Sequence, residues 1–178
     1  GDDMDSLYNV VKSFTGWSGF DTNLGFWEPP TVLNTVTAVL FVLCCAAIAY
    51  VAWTAPQRPR LAQLAFLVVA AFLLTNKVYS PQFDLWLWPF VVLFATRWRP
   101  VLLFLIGDIA AYFAEFWLFA GMEGAYPSAT QADVATAAIV RGVALLWLIH
   151  AAVRDAPPAW VTPPPAPPRP EDRQIPAG

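Results

Sequence analysis

The sequence predicts an all-helical, polytopic transmembrane protein of about five spans. Composition and patterning carry that prediction. The 178 residues are 58% hydrophobic and only 13% charged, against about 45–50% and 25% in ordinary soluble domains, and their mean hydropathy is +0.52. The apolar residues form long runs separated by short polar connections, without the alternation that marks strands. The net charge of -3 is distributed between the two sides of the apolar runs rather than gathered into a basic patch, which excludes a nucleic-acid partner.

Residues 1–30 are polar and acidic. Asp2, Asp3 and Asp5 precede Leu7, Val10, Val11 and Phe14 at helical spacing, so one short amphipathic helix is expected with Asp5 as its N-cap. Trp17, Phe20, Phe26 and Trp27 then lead to Pro29 and Pro30. Aromatics there suit an interfacial belt, with a lid over a site as the alternative. The first residue is Gly and no signal peptide opens the chain, so we read it as the C-terminal piece of a longer protein.

Residues 31–155 form the membrane domain, with spans expected at 31–54, 61–75, 83–97, 101–120 and 134–153. The first is long enough, at 1.5 Å per residue, to cross a hydrocarbon layer of about 30 Å. It ends before Pro56 and Pro59, and its adjacent Cys44 and Cys45 read as buried inert thiols. The second and third come to only about 22 Å each and need help from flanking residues. Arg58 and Arg60 follow the first span, Arg97 and Arg99 the third, and Arg154 the fifth. Positive connections stay in the cytoplasm, which places the N-terminal segment and the loops around residues 76–82 and 121–133 outside. The segment 156–178 is rich in proline and reads as a disordered cytoplasmic tail.

Between the second and third spans lies a polar island, Asn76-Lys77-Val78-Tyr79-Ser80-Pro81-Gln82. Two short spans meeting at such a stretch put irregular backbone below the membrane surface, where it survives only buried in protein or lining a wet cavity. Ser80 and Pro81 suit the N-cap and first position of the following helix, so free N–H groups and the Lys77 ammonium favour an anion such as a lipid phosphate. Asp84 weakens that reading by offering Lys77 a counter-charge. The competing reading is a tight structural hairpin whose lysine snorkels to the surface.

Asp108 and Glu115 on the fourth span are seven residues apart and share a helix face. Antiparallel packing of the fifth span brings Arg141 to a depth between them, so an ion pair with one or both is expected, as a structural clamp. His150 reads as interfacial. Asn34, Thr35 and Thr37 suit bonds between helices or the lining of an outer cavity. No metal-ligand spacing or cofactor motif is present in the sequence.

Asn76-Lys77-Val78-Tyr79-Ser80-Pro81-Gln82-Phe83, followed by Leu85-Trp86-Leu87 and Pro89, resembles the "NK-V-SPQ-LWL-P" stretch of actinobacterial integral-membrane glycosyltransferases, which include polyprenol-phosphate-mannose-dependent α-1,2-mannosyltransferases. Asp5-Ser6-Leu7 and Pro59-Arg60-Leu61-Ala62-Gln63 add weaker support. The resemblance covers roughly residues 1–155 and implies the C-terminal part of a GT-C fold with an outward-facing site and a lipid-linked sugar donor. It makes Lys77, Gln82, Asn76, Tyr79 and Ser80 substrate-binding candidates. The acidic residue that serves such enzymes as general base lies in an early outer loop with no counterpart here, so no catalytic residue is assigned. A transporter or channel segment and a non-catalytic membrane assembly protein are the alternatives.

Overall fold

Among the described residues, three helices are long and apolar enough to cross a membrane: α2 (Thr31–Thr54), α5 (Trp98–Met122) and α6 (Gln131–Arg154). They belong to a computed structural model that describes residues 6–24, 28–56 and 58–155, the side chain of Pro81 excepted. The shorter elements are α1 (Leu7–Thr15), α3 (Leu61–Thr75), a 3-10 helix (Pro81–Trp86) and α4 (Trp88–Phe94), and no strand occurs among the described residues. The tail from residue 156 and the aromatics Phe26 and Trp27 lie outside them.

The expected count of about five spans is therefore corrected to three long helices and two shorter apolar segments. Residues 83–97 do not form one helix. Proline has no N–H, so Pro89 cannot donate to the carbonyl four residues earlier, and the chain breaks at Leu87 between the 3-10 helix and α4. A 3-10 run of six residues is long for that geometry. The fourth and fifth spans, by contrast, extend past their expected ends. α6 begins at Gln131 because Thr130 and Asp133 form a reciprocal capping box. In α1 the N-cap is Ser6 rather than Asp5, its hydroxyl accepting from the Asn9 N–H at 3.4 Å.

Helices α5 and α6 form an antiparallel hairpin packed through small residues. A Cβ placed on Gly107 would lie 2.8 Å from both the Cα and the N of Arg141, so the two backbones touch there. Toward the connecting loop, Ala111, Ala114 and Leu118 meet Val134 and Ala137. The main core lies at the other end, where Phe66, Leu73, Leu87, Val91, Phe104 and Leu145 are buried together. Helix α2 packs mainly on α3, and only Leu33 of its residues is buried; Cys44 and Cys45 are half-buried rather than buried.

The connections carrying Arg58, Arg60, Arg97 and Arg154 gather at one end. Gln63 Nε2 donates to the Ala152 carbonyl at 2.9 Å, Arg60 Nη1 to that of Leu93 at 3.3 Å, and Arg97 Nε meets Asp155 at 3.0 Å. At the opposite end Asp21 caps α2, its carboxylate accepting from Leu33 N–H at 2.8 Å and Val32 N–H at 3.3 Å. There α1 packs on α6. From α1, Tyr8 inserts its hydroxyl between α2 and α3, donating to the Thr75 carbonyl at 2.8 Å beside Thr37 Oγ1 at 3.3 Å.

Thr37 is six residues past the start of α2, so the end of α3 sits about 9 Å below that start. Tyr8 thus holds the recessed end of α3 from above. Tyr8→Phe keeps the ring and removes the buried donor; we expect it to lower stability by about 1 kcal/mol, read from thermal unfolding in detergent. An unchanged midpoint would show that the Thr75 carbonyl is satisfied otherwise.

Candidate functional site

The island begins where α3 stops. Asn76 is the C-cap, extended, its N–H still bonded to the Phe72 carbonyl at 2.9 Å. From there the side chains diverge. Lys77, half-buried, reaches across to α2 and donates from Nζ to Asn34 Oδ1 at 2.5 Å, about one turn into that helix. Tyr79 turns inward and is buried. Ser80 occupies the N-cap of the 3-10 helix, its carbonyl accepting from Phe83 N–H at 2.8 Å, but its hydroxyl makes no capping bond. Gln82 is exposed. Lys77 and the helix start line none of the three described cavities.

The inward branch is the more tightly built. Tyr79 Oη donates to Asp84 Oδ1 at 2.6 Å, and the Arg141 guanidinium lies over the Tyr79 ring with Cζ 3.9 Å from its centroid. Arg141 Nη1 stands 3.5 Å from Asp84 Oδ2. All three residues are buried. The short phenol–carboxylate bond is the strong link, and the ion pair is long for a hydrogen bond. Stacking on the ring also helps to orient the guanidinium. One residue from the island, one from the 3-10 helix and one from α6 close a triangle that pins the irregular stretch to the bundle.

Other carboxyl groups adjoin it. Asp108 lies against Asp84. Glu115 is buried on the same helix as Asp108. The contact of Gly107 with Arg141 sets the arginine backbone level with Gly107, one residue from Asp108. Glu115 stands about 10 Å farther toward the α1 end. An ion pair also joins Arg141 to Asp84, an acid outside the expected clamp of Asp108, Glu115 and Arg141.

A signal for Asp84 was present in the chain. Asp84, Leu87, Val91 and Phe94 recur at spacings of three and four, and all four are buried. An acid on an apolar stripe of a membrane segment has to face the bundle, where it finds a partner.

Beside the triangle, a cavity of about 220 Å³ runs between α1, α3 and α6, lined by Leu7, Val10, Leu74 and Leu146 and closed by Tyr79 and Arg141. Its walls are apolar, with the polar groups at its base. No metal-binding cluster of His, Cys, Asp or Glu occurs among the described residues. Comparison with known protein families, with curated proteins and with solved structures returns no match.

Proposed function

We propose that the chain is the membrane-embedded C-terminal part of a glycosyltransferase that transfers a hexose, mannose by the resemblance of its island, from a polyprenyl-phosphate donor to a glycan or glycolipid acceptor. In this reading the α1 end faces outward and the arginine end the cytoplasm, as the distribution of Lys and Arg along the chain requires. One observation carries the proposal: the island is recessed below the start of α2, held open as irregular backbone by the Tyr79–Asp84–Arg141 triangle, and bears a half-buried lysine at its rim. Backbone of that kind at membrane depth belongs at a site.

The chemistry divides between this chain and the rest of the enzyme. An inverting transfer needs a base to take the acceptor hydroxyl proton, and that base lies outside this chain. Lys77 supplies positive charge to the phosphate that leaves as the glycosidic bond breaks. Asn34 fixes the lysine rotamer, so the ammonium is placed before the donor arrives. Asn76 and Gln82 offer amides to sugar hydroxyls, and Tyr79 and Ser80 shape the backbone between them.

In membranes containing the intact protein, Lys77→Ala is expected to lower sugar transfer from labelled polyprenyl phosphate at least about tenfold with little change in protein yield. Lys77→Arg is expected to retain part of the activity. Transfer by Lys77→Ala equal to wild type would remove the phosphate contact. It would favour a membrane assembly role, the reading to which α2, open along nearly its whole length, otherwise lends itself.

A further inference from the structure

We infer that the cleft between α2 and α6 at the arginine end binds an anionic phospholipid of the adjoining leaflet, with its phosphate on Arg58, Arg60 and Arg154 and one acyl chain between the helices. Helices α2 and α6 both rest on α3 without packing closely on one another, and the gap is a cavity of about 410 Å³. Its walls are apolar, including Ile48 and Val51 from α2 and Leu64 and Leu67 from α3. Arg58, Arg60 and Arg154 line it as well.

Arg60 is the observation that asks for a ligand. Its Nη1 donates to the Leu93 carbonyl, but Nε and Nη2 are buried without a hydrogen-bond partner. Buried donors of a charged group are costly to leave unmade, and a phosphate presents planar pairs of acceptor oxygens suited to a guanidinium fork. Asp155 also lines the cavity, but its Oδ2 is engaged by Arg97 Nε at 3.0 Å and by the Thr96 hydroxyl at 3.1 Å. The acid that shares this cavity with the three arginines is therefore already paired outside it.

The walls decide which phosphate. A soluble anion would use the arginines and leave the apolar crevice empty, whereas a lipid uses both. Basic pockets between membrane helices are the usual seat of anionic headgroups. The volume lies within the usual range of about 300–1,000 Å³ for small-molecule sites, so it takes a headgroup and the upper part of one chain. A zwitterionic headgroup would bring its own cation against the arginines.

The test is native mass spectrometry of the intact protein in neutral detergent, titrated with phosphatidylglycerol, phosphatidylcholine and glycerol 3-phosphate. Phosphatidylglycerol should be retained at least about tenfold more tightly than phosphatidylcholine, and glycerol 3-phosphate should not be retained at the same concentrations. Arg60→Gln should weaken phosphatidylglycerol about fivefold, and R58Q/R60Q/R154Q about a hundredfold. Arg99→Gln, which removes a cation at the same end but outside the cavity, should change it less than twofold. Should the triple variant fail to fold, R58Q/R154Q leaves the Arg60–Leu93 bond intact and should still weaken binding by more than tenfold. Equal retention of the two lipids would overturn the inference, as would equal losses in Arg60→Gln and Arg99→Gln. Binding of glycerol 3-phosphate as tight as that of the lipid would overturn it in favour of a soluble phosphate.

Discussion

Arg141→Ala is expected to destabilise the protein by about 3–5 kcal/mol, the cost of leaving buried charge without its partner. The guanidinium is 2% exposed and faces Asp84, which is 0% exposed, with Asp108 against that acid. Removing the arginine leaves these carboxyls without their cation in a bundle that offers no water to solvate them. It also opens a void beside the Tyr79 ring, on which the guanidinium lies at 3.9 Å.

Asp84→Asn should cost less. It keeps an oxygen to accept from Tyr79 Oη and leaves Arg141 stacked on the ring, with Asp108 at hand. The ordering, with the arginine variant well below the asparagine variant, can be measured by denaturant unfolding in detergent micelles. Arg141→Ala within about 1 kcal/mol of wild type would mean that water reaches the pair and that the triangle does not hold the island. The double variant Arg141→Leu/Asp84→Leu is expected to recover part of the loss, because a buried pair adds less to stability than its breakage removes.

Gly107→Leu is expected to separate α5 from α6 and to cost more than about 3 kcal/mol. At this position even a methyl group would sit 2.8 Å from the Arg141 backbone, and backbone cannot rotate out of the way as a side chain can. Gly107→Ala sets two effects against each other. The alanine favours the helix by about 1 kcal/mol, while overpacking costs about 1–3 kcal/mol. The net loss should be small but real.

Gly142 provides the control, since nothing lies within 4 Å of a Cβ built there. Gly142→Ala should be neutral or stabilising by up to about 1 kcal/mol. If Gly107→Leu and Gly142→Leu proved equally mild by thermal unfolding, the two helices would not touch at Gly107. A shift at that contact also moves Arg141 against Asp84 and Tyr79, so the two predictions share a mechanism and should not add.

Much of this architecture was legible from residue pattern. The long helices stand where apolar runs exceed the thickness of a bilayer, and the arginine connections lie together at one end because alternate connections carry the charge. The weakness of the segment after the island was legible in its shortness. Its division into a 3-10 helix and α4 required attention to Pro89, which the hydropathy of residues 83–97 conceals.

The site was less legible. Lys77 and Asn34 are polar groups near the ends of neighbouring helices, and their meeting follows from the antiparallel course of α2 and α3. That Asp84 pairs with Arg141 did not follow from spacing. Asp108 and Glu115 were nearer candidates because α5 and α6 are consecutive, while Asp84 is 57 residues away. Only its place on the buried stripe with Leu87, Val91 and Phe94 hinted at the inward course.

The sequence by itself determined a helical chain with runs long and apolar enough to cross a membrane, which helices are long, where the polar interruption falls and which connections carry cations. These are properties of composition and period, and each is local to a run of residues. That Asp84 meets Arg141, how closely α5 approaches α6, and that three arginines share one cleft were decided by the tertiary structure. Those outcomes depend on the rotation and depth of whole helices, set by packing summed over many side chains, and no single stretch of residues contains them.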